Sequence, residues 1–146
     1  MSKKKVAEEL KKSLADTFVL YFKTHSFHWN VTGPNFKSLH DLFEEQYTEI
    51  WEATDIIAER IRTLGEYAPN NFAELQDIAS LTPSGQTPDA NSMVQILADD
   101  NRAIVKTLTS TLKAAEEQDD EGTVDLMVAR IQAHEKAAWM LESSAA

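Results

Sequence analysis

Two histidines and three carboxylates of this chain are spaced to hold a cation. His40 and Glu44 stand four residues apart, as do Asp55 and Glu59, so on a helix each pair presents two ligand atoms side by side. At about 100° per residue all four share one flank, with Tyr47 and Trp51 between them, rotated by more than a quarter turn from Phe43, Ile50 and Ile57. Large aromatics beside acids on an outer flank mark a partner surface. One helix cannot bring the two pairs to one metal, because His40 and Glu59 lie roughly 28 Å apart along its axis at 1.5 Å per residue. The set is nevertheless a palindrome about the gap between Glu49 and Ile50, in which His40 mirrors Glu59 and Glu44 mirrors Asp55. Packed antiparallel against its own copy across a two-fold axis, such a helix brings His40 and Glu44 of one chain to Asp55 and Glu59 of the other, in two equivalent sites.

His28 precedes Pro34 by as many residues as His40 follows it. Positions equidistant from an antiparallel turn lie level, so the two imidazoles can face one cation. Two His and three carboxylates from two chains suit ferrous iron, and the carboxylates also tolerate the ferric product. Zinc fits two His and some of the acids, so it stands as a substitute metal. Taken singly, a helical His is more often hydrogen-bonded than a ligand, and helical acids are usually solvated. The joint, palindromic placement favours the metal.

Other candidates are weaker. His25, one turn before His28, reads as an accessory or a structural group, and His134 as structural, bonded to a neighbouring acid. Trp29 adjoins His28 and would lie beside the metal, although ordinary packing accounts for it too; Trp139 reads as packing alone. The Glu-x-x-His pair that intrachain di-iron bundles carry on two helices is missing.

Four long helices must position these residues. Val6, Leu10, Leu14, Phe18, Tyr21 and Phe22 predict a first helix to about Asn30, which Gly33-Pro34 stops. Leu39, Phe43, Gln46, Ile50, Ala53, Ile57, Ile61 and Leu64 predict a second, ending at Gly65 and folded back on the first. From Glu66 to Asn91 the chain is richer in Pro, Asn, Ser and Gly, with one short helical candidate at Phe72 to Ala79. Asp89 or Asn91 can cap a third long helix through Val94, Ile96, Leu97, Ile104, Val105, Leu108 and Leu112, and a fourth runs from Thr123 to about Leu141. The reading is all-α: a ferritin-like four-helix bundle with a short helix in the crossover between helices 2 and 3.

Composition bounds the chemistry. The 146 residues are 42 % hydrophobic and 26 % charged with only 4 Gly and 4 Pro, which fits a single helical domain over 1–146. With no cysteine, thiolate metal sites and disulfides are excluded, and any ligands are nitrogen and oxygen. A net charge of −10 attracts cations and disfavours DNA as the main ligand. Lys3, Lys4, Lys5, Lys11 and Lys12 cluster at the start, as a solvated helix start or a short, disordered tail over residues 1–5. With neither a signal-like apolar run nor a membrane-length segment, the expected location is the cytoplasm.

The stretch His28-Trp-Asn-Val-Thr-Gly-Pro-Asn-Phe-Lys-Ser-Leu-His40-Asp-Leu-Phe-Glu44, with Asp55-Ile-Ile-Ala-Glu59-Arg60, resembles the signature of the DNA-protection-during-starvation (Dps) miniferritins. The likeness extends over nearly the whole chain, including the crossover helix and the ending Lys136-Ala-Ala-Trp139. It implies that His28, His40, Glu44, Asp55 and Glu59 are intersubunit ferroxidase ligands, with Glu44 standing where many members have Asp, so a shifted geometry is expected. It further implies a hollow dodecamer, hydrogen peroxide as oxidant, a stored ferric mineral and protection against oxidative damage. By the same resemblance Trp29 is an electron donor beside the site. Asp41 and Glu45 are candidate mineral-nucleation acids, equally well read as a charged helical face, and Asp120, Glu121 and Asp125 lie near a three-fold pore. The family includes nucleoid-associated members that bind DNA through longer basic tails. Here Lys3 to Lys5 are followed by Glu8 and Glu9, and twelve copies would total about −120, so DNA binding is expected to be weak or absent. A DNA-compacting structural protein and a zinc-stapled oligomer without turnover are the alternative readings.

Overall fold

The computed structural model describes residues 2–145. They form α1 (Ser2–Asn30), α2 (Phe36–Thr63), α3 (Phe72–Ile78), α4 (Ala90–Glu117) and α5 (Glu121–Ser143), and no strand occurs among them. α1 packs on α2 and α4 on α5 as two hairpins, α1 lies against α4, and α3 crosses outside against α1. Of the 1–5 segment, Met1 lies outside the described residues; Lys3, Lys4 and Lys5 are exposed on the opening turns of α1, a solvated helix start.

Local chemistry ends the helices where the site needs them to end. Gly33, at φ +113°, carries the turn between α1 and α2, a conformation that residues with a Cβ rarely adopt. At the end of α2, Gly65 (φ +91°) donates to the Arg62 carbonyl and Glu66 to that of Ile61, the paired bonds that satisfy the last carbonyls of a helix. α4 closes the same way with Asp119 at φ +54°, one of the few non-glycine types that enter this region readily. Asp89, rather than Asn91, caps α4 by accepting from the Ser92 N–H at 2.8 Å.

Leu10, Leu20, Phe27, Phe43, Ile50, Ile57, Leu97, Ile104, Leu108 and Met127 are fully buried, and each contributes about 1.5–3 kcal/mol by leaving water. Two expectations are corrected. Phe22 is 54 % exposed, because the buried face of α1 follows Leu10, Leu14, Leu20 and Phe27 and turns away from it. Trp139 is 61 % exposed, since Ala138 and Leu141 take the buried positions beside it.

Two buried polar groups hold the bundle in register. Asp16 of α1 accepts from the backbone N–H groups of Ser80 (2.7 Å) and Leu81 (3.0 Å) and from the hydroxyls of Ser80 (2.6 Å) and Thr107 (2.7 Å). One buried carboxylate thus ties the crossover to both α1 and α4. Asp16→Ala removes the acceptor of two partly buried backbone donors and two hydroxyls and is expected to lower stability by about 2 kcal/mol, read as a shift in urea midpoint. A midpoint within experimental error of wild type would refute the tie.

The second group is centred on His134. Arg130 donates to Glu49 through Nη1 and Nη2 and, at 3.0 Å, to His134 Nε2, while His134 Nδ1 lies 2.8 Å from Asn101 Oδ1. A guanidinium can only donate, so Nε2 accepts and the imidazole proton sits on Nδ1. Burial, reinforced by the Arg130 charge, holds His134 down at about 3. His134 is therefore a neutral structural residue, bonded to an amide and a guanidinium where a neighbouring acid was expected.

Candidate metal centre

The hairpin turn brings the last turn of α1 level with the first turns of α2, and His28 meets His40 there. Their rings stack at 3.8 Å and 15°. Each Nδ1 lies 2.7 Å from the other residue's backbone carbonyl, a reciprocal pair of bonds. A carbonyl only accepts, so both Nδ1 atoms carry hydrogen; in the neutral imidazole each Nε2 then keeps the lone pair, and neither Nε2 has a partner among the described residues. This is the tautomer that binds metals, and backbone carbonyls commonly fix it in metal sites. Phe36 stacks on His40 at 4.9 Å, and His28 is 8 % exposed, so neither ring can turn freely.

The carboxylates do not converge on this pair within one chain. Glu44 lies one turn beyond His40, in a shallow acidic groove with Asp41, Glu45 and Thr48. Asp55 and Glu59 are exposed on the same helix, about 22 Å and more from His40 by helical rise. Asp55 borders an apolar groove lined by Leu14, Phe18, Trp51, Ile56 and Leu75. Among the described residues no three His, Asp or Glu side chains gather where one ion could sit. The candidate residues thus fall into two groups at opposite ends of α2.

A family model of the ferritin-like domain matches residues 7–145. DNA protection during starvation protein 2 of Bacillus anthracis is 39 % identical over 140 residues, 96 % of each chain. The crystal structure of a Dps protein from Bacillus brevis superposes with a TM-score of 0.93 at 38 % identity, over 97 % of this chain and 95 % of that one. The Dps protein of Vibrio cholerae, described as a member of a broad superfamily of ferritin-like diiron-carboxylate proteins, superposes with a TM-score of 0.93 at 34 % identity, over 97 % and 89 %. The chain belongs to the ferritin-like Dps family.

Around the histidine pair this Dps-family chain carries an aromatic cluster whose extent the sequence reading missed. His25 stacks on Tyr47 at 3.7 Å, touches Trp29 at 4.4 Å, and its Nδ1 lies 2.7 Å from the Tyr21 hydroxyl. Tyr21 in turn contacts Trp51 at 4.8 Å. Burial, and then His28, hold His25 below its ordinary value against the pull of Glu44; burial, and then Tyr47, hold Tyr21 above its own. The four-residue step from Tyr21 to His25 was the available signal.

The other acids divide by their surroundings. Asp41 is paired with Lys37 at 3.2 Å on the surface, and Glu45 is exposed. Asp120 is engaged: it caps α5 at Thr123 and pairs with Arg60 at 2.6 Å. Burial pushes Asp120 up, but the bonds from Thr123 and Arg60 outweigh it and hold the carboxyl below its usual range. Glu121 and Asp125 are exposed. Among the described residues no helix is long and apolar enough to cross a membrane.

Proposed function

We propose that two copies of the chain pack antiparallel along α2 and together oxidise ferrous iron. Each of the two resulting sites takes His28, His40 and Glu44 from one copy and Asp55 and Glu59 from the other. The observation that supports this most is the reciprocal bonding of His28 and His40, which commits both Nδ1 atoms and leaves both Nε2 atoms without a partner among the described residues, with Glu44 one turn beyond His40 on α2. Nitrogen and carboxylate donors suit iron in both oxidation states. The oxidant is hydrogen peroxide: two ferrous ions give one electron each, the O–O bond breaks, and two hydroxides form, so no hydroxyl radical is released. The carboxylates stabilise the ferric charge as it develops. Trp29, half-exposed beside His25, is a reducing side chain at the edge of the site.

The dimers build a hollow dodecamer in the cytoplasm that stores the ferric product and protects against oxidative damage. Asp41 and Glu45 nucleate the mineral. Glu121 and Asp125 draw cations in at the pore, with Asp120 committed to Arg60. Anaerobic loading with two ferrous ions per site followed by one peroxide is expected to give stoichiometric ferric iron, without spin-trapped hydroxyl radical, in particles of dodecamer mass. Zinc-bound particles that leave ferrous iron unchanged would replace this reading with an interface staple. A DNA-compacting role needs a basic surface that a chain of net charge −10 lacks. A gel shift at moderate salt without divalent cation is therefore expected to show free DNA, and a tight complex would overturn that.

A further inference from the structure

Arg60 of α2 reaches across to the start of α5. Its Nε donates to the Thr123 hydroxyl at 3.0 Å and its Nη2 to Asp120 at 2.6 Å, while Thr123, fully buried, donates its own hydroxyl proton to Asp120 at 2.6 Å. The guanidinium lies against Gly122, where a Cβ would stand 2.8 Å from Nη2 and 3.1 Å from Cζ, closer than side chains approach. No positive φ calls for glycine at this position, and a helix loses stability by carrying one, so the residue is explained by the room it leaves for Arg60.

The clamp sits one residue beyond Glu59. From Ile50 to Thr63 the side chains of α2 make no other hydrogen bond to a different helix among the described residues: Thr54 and Thr63 bond within α2, and Arg62 donates to the Glu66 carbonyl in the following turn. Asp55 and Glu59 are exposed and without a bonding partner among the described residues, so only the pose of the helix aims their carboxylates. At about 100° per residue Arg60 stands a quarter turn or more away from both, and a tether on that flank resists rotation of α2 about its axis. The apolar contacts of Ile57 and Ile61 resist separation of the helices but are not directional. With side chains reaching about 6 Å from the axis, a rotation of about 10° carries a carboxylate through about 1 Å. A ligand set has to be held to within about 0.5 Å.

We propose that Arg60 is a positioning residue, whose clamp on the start of α5 aims Asp55 and Glu59 at the histidines of the partner copy. This role rests on the shared site proposed above. It confines the lesion of an Arg60 variant to the half of a site made of Asp55 and Glu59, and leaves the half made of His28, His40 and Glu44 intact in the same chain.

The test uses the full chain with Arg60→Met, which removes both donors and keeps an unbranched apolar stem, and Gly122→Ala, which removes no polar group and favours the helix but pushes the guanidinium away. The cobalt(II) dissociation constant from anaerobic calorimetry and the ferrous concentration that half-saturates oxidation by peroxide are each expected to rise about 10-fold in both variants, with the saturated rate little changed. A chain that was merely loosened would shift its urea midpoint and neither of these.

Mixing then locates the lesion. Arg60→Met chains reassembled with His40→Ala chains are expected to regain wild-type cobalt affinity at about one quarter of the sites, because one site of each mixed dimer takes His28, His40 and Glu44 from the first and Asp55 and Glu59 from the second. Reassembled with Glu59→Ala chains they are expected to regain none, since every site then carries a lesion in its Asp55 and Glu59 half. Gly122→Ala serves in the same mixtures should Arg60→Met not fold. The control is the mixture of His40→Ala with Glu59→Ala: no recovery there overturns the shared site and the role of Arg60 with it. With recovery in the control, wild-type affinity in Arg60→Met and Gly122→Ala, or equal recovery with the two partners, overturns the role of Arg60 and leaves the shared site standing.

Discussion

Mixed and reassembled in equal amounts, His40→Ala and Glu59→Ala chains are expected to regain about one quarter of the wild-type sites, although each variant alone should be nearly inactive. The number follows from two-fold geometry. Random pairing makes half of the dimers mixed; in each of these one site collects both lesions, and the other takes His28, His40 and Glu44 from the Glu59→Ala chain and Asp55 and Glu59 from the His40→Ala chain. Each single variant should lose ferrous oxidation by at least about 100-fold, the upper end of what losing a mere supporting hydrogen bond costs a metal site. The measurement is the rate of ferric appearance after peroxide, with mass spectrometry confirming that mixed particles have formed. Mixed particles without recovery would show that His40 and Glu59 do not serve one site from two chains. Variants as fast as wild type would remove both residues from the chemistry.

Mild acid is expected to lower the stability of the protein through His134 before its carboxylates titrate. Its folded value, about 3, lies below the ordinary histidine value of 6.5. Between these values the unfolded chain binds a proton that the folded chain refuses, so stability is present in full above about pH 6.5 and falls as pH is lowered. The slope for one proton is about 1.4 kcal/mol per pH unit. Carboxylates titrate below the window from pH 6.5 to 5, and His25, also held below its ordinary value, adds to the slope there in wild type and variant alike. Chemical denaturation at fixed protein concentration should show this slope in wild type and a flatter one in His134→Gln, which keeps polar atoms near Asn101 and Arg130 but has no proton to gain. Equal slopes in the two proteins would place the acid sensitivity elsewhere.

These two expectations come from different layers of information. The first was legible in residue order. His40, Glu44, Asp55 and Glu59 form a palindrome, and His28 mirrors His40 about Pro34, so spacing alone could nominate five ligands. The helices were legible for a related reason. Their apolar residues repeat with the helical period and their ends carry local stops, Gly33-Pro34 and Gly65, that act within a few residues of chain. Asp89 was one of two candidate caps, and only the bond to Ser92 chose between them.

The second expectation could not be read from order, because its partners are distant in sequence. Glu49, Asn101, Arg130 and His134 meet across α2, α4 and α5, and no local pattern announces that Arg130 will reach Glu49. Asp16 looked like any polar residue of an amphipathic helix until Ser80, Leu81 and Thr107 were found around it. Phe22 and Trp139 fit the helical rhythm closely enough to pass as packing residues, and only the neighbouring helices decided that they face outward.

By itself, then, the sequence determined the helix class, the ends of the elements and the identity of the candidate ligands, since periodicity, caps and turns are local and act along the chain. Tertiary structure decided the tautomers of His28 and His40, the engagement of Asp120 by Arg60 and the pairing of Tyr21 with its neighbours across two helices. Those depend on which hydrogen-bonding group stands opposite which, and that is set only when separate helices close on one another.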